Sequence, residues 1–141
     1  MELVELSPAD ARLTEVWAVL GRLRTQLAAE TFHARYAAAH AHGYRVTAGY
    51  VDGRCIAAAG WRITTSLVHG RFLYVDDLVV EPEVRSRGHG AALLAALEAR
   101  AATAGCTRVR LDSGVQRREA HRFYLREGYT ITTYGLAKEL G

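Results

Sequence analysis

The chain has 141 residues, half of them hydrophobic, a formal charge of +3 and two cysteines. That length suits a single domain, residues 1–141, which can bury a core without disulfides, and neither cysteine has His or Cys at metal-ligand spacing beside it, so no metal is expected. An acidic N-terminus without a basic-then-apolar leader, and the lack of an apolar run long enough to cross a bilayer, make a cytoplasmic protein with no membrane partner the expectation.

Residues 2–6 alternate weakly and predict a first strand. Ser7-Pro8-Ala9-Asp10 reads as a helix start, with Ser at the N-cap and Pro at the first helical position. The spacing of Leu13, Val16, Trp17 and Leu20 continues that helix, and a second is predicted over residues 25–40. The period then changes. Residues 44–51, the Asp52-Gly53 turn and residues 54–65 read as a hairpin, followed by a strand over 71–80 whose end, Leu78-Val79-Val80, is continuously apolar. Residues 91–104 predict a helix with Leu93, Leu94 and Leu97 on one face and Gly105 as its stop. A strand over 107–112, a helix over 116–127 ended by Gly128, and one or two closing strands within 129–140 complete the order. Early hairpin strands followed by a β-α-β unit argue for an α/β architecture with a mixed sheet flanked by helices. Cys55 and Cys106, each in an apolar stretch, read as buried thiols.

The stretch from Val79 to Gly90 passes from a buried strand through a tight turn into an Ala- and Leu-rich helix. A helix N-terminus carries unpaired N–H groups and partial positive charge, Gly88 and Gly90 permit close approach and left-handed dihedrals, and Arg85 and Arg87 add fork-shaped donors. These features predict a pyrophosphate-binding turn. It is neither the dinucleotide-binding G-x-G-x-x-G nor a Walker A loop. The run Val80-x-Pro82-x-x-Arg85-x-x-Gly88-x-Gly90, followed by a Leu-rich helix, resembles the acetyl-CoA-binding motif of the GCN5-related N-acetyltransferases (GNAT). The segment from Ala120 to Tyr129 resembles the second signature of that family.

The resemblance implies a GNAT-like fold: a mixed, mostly antiparallel sheet of six or seven strands flanked by about four helices. It also implies that the strands over 71–80 and 107–112 splay apart, with the pantetheine arm of acetyl-CoA in the gap. Leu78 would then lie near the thioester, and Val79 and Val80 would offer backbone groups to the pantetheine. Arg85, Ser86, Arg87, Gly88, His89 and Gly90 would cradle the pyrophosphate. The family often has Asn where this chain has Arg117, three residues before Ala120; Arg117 could reach cofactor phosphate, without the usual amide contact. Tyr124 matches the position usually assigned as general acid beside the cofactor.

A lysine-like amine of pKa ~10.4 is almost wholly protonated at neutral pH, so transfer needs a proton acceptor. Asp76 and Asp77 are the candidates, and because successive strand residues face opposite sides only one of them can face the cleft; Glu81 at the strand end is the alternative. The competing role for the pair is structural, accepting hydrogen bonds from backbone or from an arginine such as Arg110. Tyrosine (~10) protonating a thiolate (~8.5) runs uphill by roughly 2 kcal/mol, so Tyr124 assists and a strand N–H, that of Val79, polarises the carbonyl. No residue has the frame of a covalent nucleophile, which favours direct transfer. His33, Arg35, Tyr36, His40, Tyr44, Trp61 and Arg62 are acceptor-contact candidates, the acceptor being the amine of a small molecule or a peptide. Few acids accompany them, which does not suggest a polycation. A non-catalytic acyl-CoA-binding regulator is the alternative function. Nucleic acid is not expected as a partner, since no aromatic-basic signature is present, and a homodimer is left open.

Overall fold

A computed structural model describes all 141 residues. The order is β1 (Glu2–Leu6), α1 (Leu13–Leu20), α2 (Ala29–His40), β2 (Arg45–Val51), β3 (Arg54–Ser66), β4 (Gly70–Val80), a single 3-10 turn Pro82–Val84, α3 (His89–Thr103), β5 (Val109–Leu111) and α4 (Arg118–Arg126). Two compact units divide it, Met1–Arg110 and Leu111–Gly141.

The strands form one five-stranded sheet in the order β1-β2-β3-β4-β5. β1 through β4 pair antiparallel. β5 joins β4 in parallel: the Thr107 amide donates to the Arg71 carbonyl and the Leu73 amide to the Arg108 carbonyl. The β2–β3 turn is the predicted two-residue hairpin, with Asp52 at φ 50° and Gly53 at φ 76°, the left-handed pair that matches strand twist.

Within the first unit, β3 is buried continuously from Cys55 to Trp61, as a strand covered on both faces must be. One face carries Ala58 and Val79, which join Val46, Leu13, Val16, Phe32 and Tyr36 in the core under α1 and α2. The other is covered by α3, whose Leu93, Leu94 and Leu97 are fully buried, each contributing roughly 1.5–3 kcal/mol. In the second unit, Gly128 at φ 94° closes α4, and the Tyr129 amide turns back to the Tyr124 carbonyl.

Three expectations are corrected. First, α1 begins at Leu13, not at Pro8. The Asp10 carboxylate accepts the Arg12 amide at 2.9 Å and binds the Arg12 guanidinium, so residues 7–12 satisfy themselves as turns before the helix starts. Second, the sheet has five strands, not six or seven. Residues 130–141 form no strand, and Ile131, Tyr134 and Leu136 are 75%, 92% and 96% exposed. Strand-like composition does not supply a ladder partner, and without one no strand forms. Third, Cys55 is buried but Cys106 is only partly so. Burial pushes the Cys55 thiol up to about 11, with the Glu15 charge adding to it.

Candidate active site

The C-terminal half of β4 carries the candidate residues of the first unit. β4 runs eleven residues and β5 only three, so the end of β4 has a sheet neighbour on the β3 side alone. Leu78, Val79 and Val80 pair there with Ala59, Ala58 and Ala57.

Beyond Val80 the backbone leaves a row of donors. The Val84 amide donates to the Glu81 carbonyl and Arg85 to Pro82; the next bonded amide is Ala92, to Gly88 at 3.0 Å. The amides of residues 86–91 donate to no carbonyl of the chain. Ser86 at φ 64° and Gly88 at φ 82° take left-handed conformations within this run, which leads into a fifteen-residue helix. Gly90 lies inside α3 and needs no special dihedral, so only Gly88 answers the conformational requirement expected of both. Arg85 bonds back to the Val80 carbonyl through Nε at 3.2 Å, while Arg87 is exposed. His89 begins the helix.

Asp76 and Asp77 do not alternate. Gly60 pairs with Asp77 but Trp61 pairs with Val75, so Asp76 is the extra residue of a β-bulge. The bulge suspends the period of two, and both aspartates line one cavity of about 650 Å³ beneath α2 and the segment joining α1 to α2. The expectation that only one could face the cleft fails for this reason.

Their surroundings differ. Asp77 is held by two donors: Arg24 Nε at 2.9 Å on Oδ1 and the Tyr44 hydroxyl at 2.6 Å on Oδ2. Arg24 also bonds the Asp76 carbonyl at 3.1 Å. Asp76 meets Arg62 more loosely, at 3.1 and 3.4 Å, and burial raises its carboxyl above the ordinary value despite that arginine. Neither aspartate pairs with Arg110, whose guanidinium lies over Phe72. Burial and the Asp77 charge push the Tyr44 hydroxyl far up, so it stays a proton donor. Glu81 is 5% exposed and pinned by Arg22 at 2.8 Å, with Arg54 also near, which makes it a structural anion.

Gly60 is the residue that makes this arrangement possible. A Cβ there would stand 1.7 Å from the Tyr44 hydroxyl oxygen and 2.8 Å from Asp77 Oδ2. Only glycine leaves room for the hydroxyl to cross the sheet surface to the carboxylate.

Of the predicted acceptor contacts, Arg35, Tyr36 and Tyr44 line the cavity. Trp61 is turned away, donating to Thr47 Oγ1 and lying under Arg100 of α3; His33 and His40 meet Phe32 and Tyr36 edge to face. Arg24 and Gly60 were not legible, since a lone Arg and a lone Gly carry no motif. In the second unit, Arg117 is the N-cap residue of α4. Tyr124 is buried beside Phe123 and Tyr129, and that burial raises its hydroxyl against the opposing Arg117 charge.

A five-stranded mixed sheet flanked by helices, with a row of free amides after β4, defines the class of fold, and comparison with known proteins gives the family. The sequence model of the acetyltransferase (GNAT) family matches residues 13–129, and the chain belongs to that family. An uncharacterized N-acetyltransferase, YhdJ, of Bacillus subtilis (strain 168) is 36% identical over 122 residues, covering 85% of this chain and 86% of the relative. The aminoalkylphosphonate N-acetyltransferase of Salmonella typhimurium is 34% identical over 90 residues, 63% of this chain and 58% of that one. The fold matches an aminoglycoside N-acetyltransferase AAC(6')-Iy in complex with CoA at a TM-score of 0.86, with 17% identity, over 98% of this chain and 93% of that chain. The protein is an acetyltransferase.

Proposed function

We propose that this protein moves the acetyl group of acetyl-CoA directly onto an amine, of a small molecule or a protein terminus, seated in the cavity beside Asp76 and Asp77. The observation that carries the reading is the run of unbonded amides at residues 86–91, a donor array matched to a diphosphate and opening a long helix. Arg85, Arg87 and His89 flank that array, and Ser86, Gly88 and Gly90 shape it. Leu78, Val79 and Val80, lacking a β5 partner, are free to take the pantetheine arm as an added strand would be taken.

Acetyl-CoA supplies an activated thioester carbonyl. The nitrogen lone pair forms the new C–N bond, the C–S bond breaks, and the proton leaves nitrogen for Asp76, directly or through water. Asp76 is the better acceptor because burial raises its affinity for a proton and its bonds to Arg62, 3.1 and 3.4 Å, are longer than the 2.9 and 2.6 Å bonds that hold Asp77. Asp77 therefore positions the cavity wall. The Val79 amide polarises the thioester carbonyl, and solvent returns a proton to the thiolate. The two free thiols fit a reducing compartment, so the cytoplasm is the proposed location.

Titration calorimetry with CoA, paired with acetyl-CoA thiol release across amine classes, tests the reading. Heat with CoA that disappears when the donor row is disrupted, and turnover of at least one amine class, supports it. No heat with CoA and no thiol release would sink it.

A further inference from the structure

The acceptor cavity has an unbalanced charge. Four ionisable side chains of fixed sign line it: Arg24, Arg35, Asp76 and Asp77. Arg24 and Asp77 neutralise one another at 2.8 Å, and Asp76 is met from β3 by Arg62 at 3.1 Å. Both carboxylates are thus answered, and Arg35 is the cation left over, with no carboxylate partner of its own.

Arg35 is exposed, and it sits on the face of α2 that borders the cavity. Phe32, Arg35, Tyr36 and Ala39 stand at i, i+3, i+4 and i+7, one face of the helix, and all four line the cavity. The exposed positions of the same helix are Glu30, Ala34, Arg35, Ala37 and Ala38, so Arg35 is the one exposed cation among them. Most of the uncharged lining is aliphatic or aromatic, Leu20, Leu23, Leu27 and Phe32 among it, with Thr25 and Gln26 as polar members.

We infer that the acceptor is an amine that also carries an anionic group, a carboxylate or a phosphonate, separated from the nitrogen by a short apolar spacer and received by the Arg35 guanidinium. A guanidinium offers two parallel N–H donors to either oxyanion, so the chemistry is shared and its source is decided by experiment. A di- or polyamine meets no unanswered carboxylate here, while bringing a second cation beside Arg35. The inference rests on the acetyl-transfer reading for the identity of the amine end; Arg35 as the anion anchor stands on the cavity alone.

The experiment uses matched amines of equal chain length: an ω-amino carboxylate, an ω-aminoalkylphosphonate, an amino alcohol and a diamine. Each is titrated calorimetrically into the protein and separately assayed for acetyl-CoA-dependent thiol release, in the natural chain and in Arg35→Gln. Expected are binding of the anionic amines at least tenfold tighter than of the amino alcohol or diamine, and a matching tenfold rise in KM on Arg35→Gln with CoA affinity and kcat unchanged. The carboxylate and phosphonate arms tell which oxyanion is taken. Equal binding of all four amines, preference for the diamine, or an Arg35→Gln variant indistinguishable from the natural chain overturns the inference and leaves acetyl transfer standing. Tight, Arg35-dependent binding without thiol release overturns the acetyl-transfer reading and leaves the anion anchor standing.

Discussion

Two neighbouring parts of the candidate site are assembled in opposite ways. The acceptor cavity is built from side chains brought together across long stretches of chain: Arg24 reaches Asp77 over 53 residues and Tyr44 reaches it over 33. The turn after β4 offers consecutive backbone amides, those of residues 86–91, and distant side chains reach only its approach, Arg22 at Glu81 and Arg54 at Glu83. A cavity of the first kind adapts its contents to each acceptor by changing one residue, because the scaffold around it is held by other contacts. A turn of the second kind holds a group common to every reaction, because backbone donors cannot be exchanged by substitution and only the conformation can be spoiled.

The sharpest way to break that contrast is to remove the proposed base. Asp76→Asn is expected to lower kcat/KM about 100- to 1,000-fold at neutral pH, with CoA affinity unchanged and activity partly recovered by amines of low pKa. Asp77→Asn with an equal loss and unaltered stability would reverse the two roles. Next comes Gly60→Ala, whose Cβ would meet the Tyr44 hydroxyl. Overpacking plus loss of a charge-assisted hydrogen bond should cost about 3 kcal/mol in denaturant unfolding, and Tyr44→Phe, which loses only the bond, about 2 kcal/mol. Equal stability of the Gly60→Ala chain would mean that Tyr44 does not reach the carboxylate in solution.

The core beneath the cavity provides a check through pH. The folded Cys55 thiol titrates at about 11, above its unfolded value of ~9, so its contribution is complete below pH 9 and is lost as pH climbs through 11. Stability should therefore fall by roughly 1–2 kcal/mol over that interval, and the fall should be absent in Cys55→Ala, whatever that variant's baseline. A fall of the same size in both chains would assign it to other groups.

Within the turn, the two glycines should separate. Gly88→Ala forces a side chain into φ 82° with nothing crowding it, costing about 1 kcal/mol of stability and weakening CoA binding roughly fivefold. Gly90→Ala replaces a helical glycine and should stabilise by about 0.5 kcal/mol, while weakening CoA wherever the ligand needs close approach to the backbone. If both variants destabilise alike, the local conformation is not what distinguishes them.

Periodicity and turn chemistry were enough for most of the elements, with boundaries shifted by a few residues, and for the donor turn itself. Asp52-Gly53 and Gly88 each specify a left-handed backbone that few other residues adopt, so the local rule holds whatever surrounds it. Asp76 and Asp77 were legible as candidates, but their shared side of the strand was not, because a bulge is a property of the pairing between β3 and β4. The closing strands failed for the same physical reason: a strand is defined by its partner, and residues 130–141 have none.

The sequence by itself determined where the chain turns, which backbone amides are left unbonded and which residue types stand at the end of β4. Only the tertiary structure decided what Asp77 is bound to, that Gly60 is needed so that Tyr44 can reach it, and that Arg35 faces a cavity whose other charges are already paired. The division follows from range: dihedral preferences act on one residue at a time, whereas electrostatic neutralisation depends on groups that only folding brings within 3 Å.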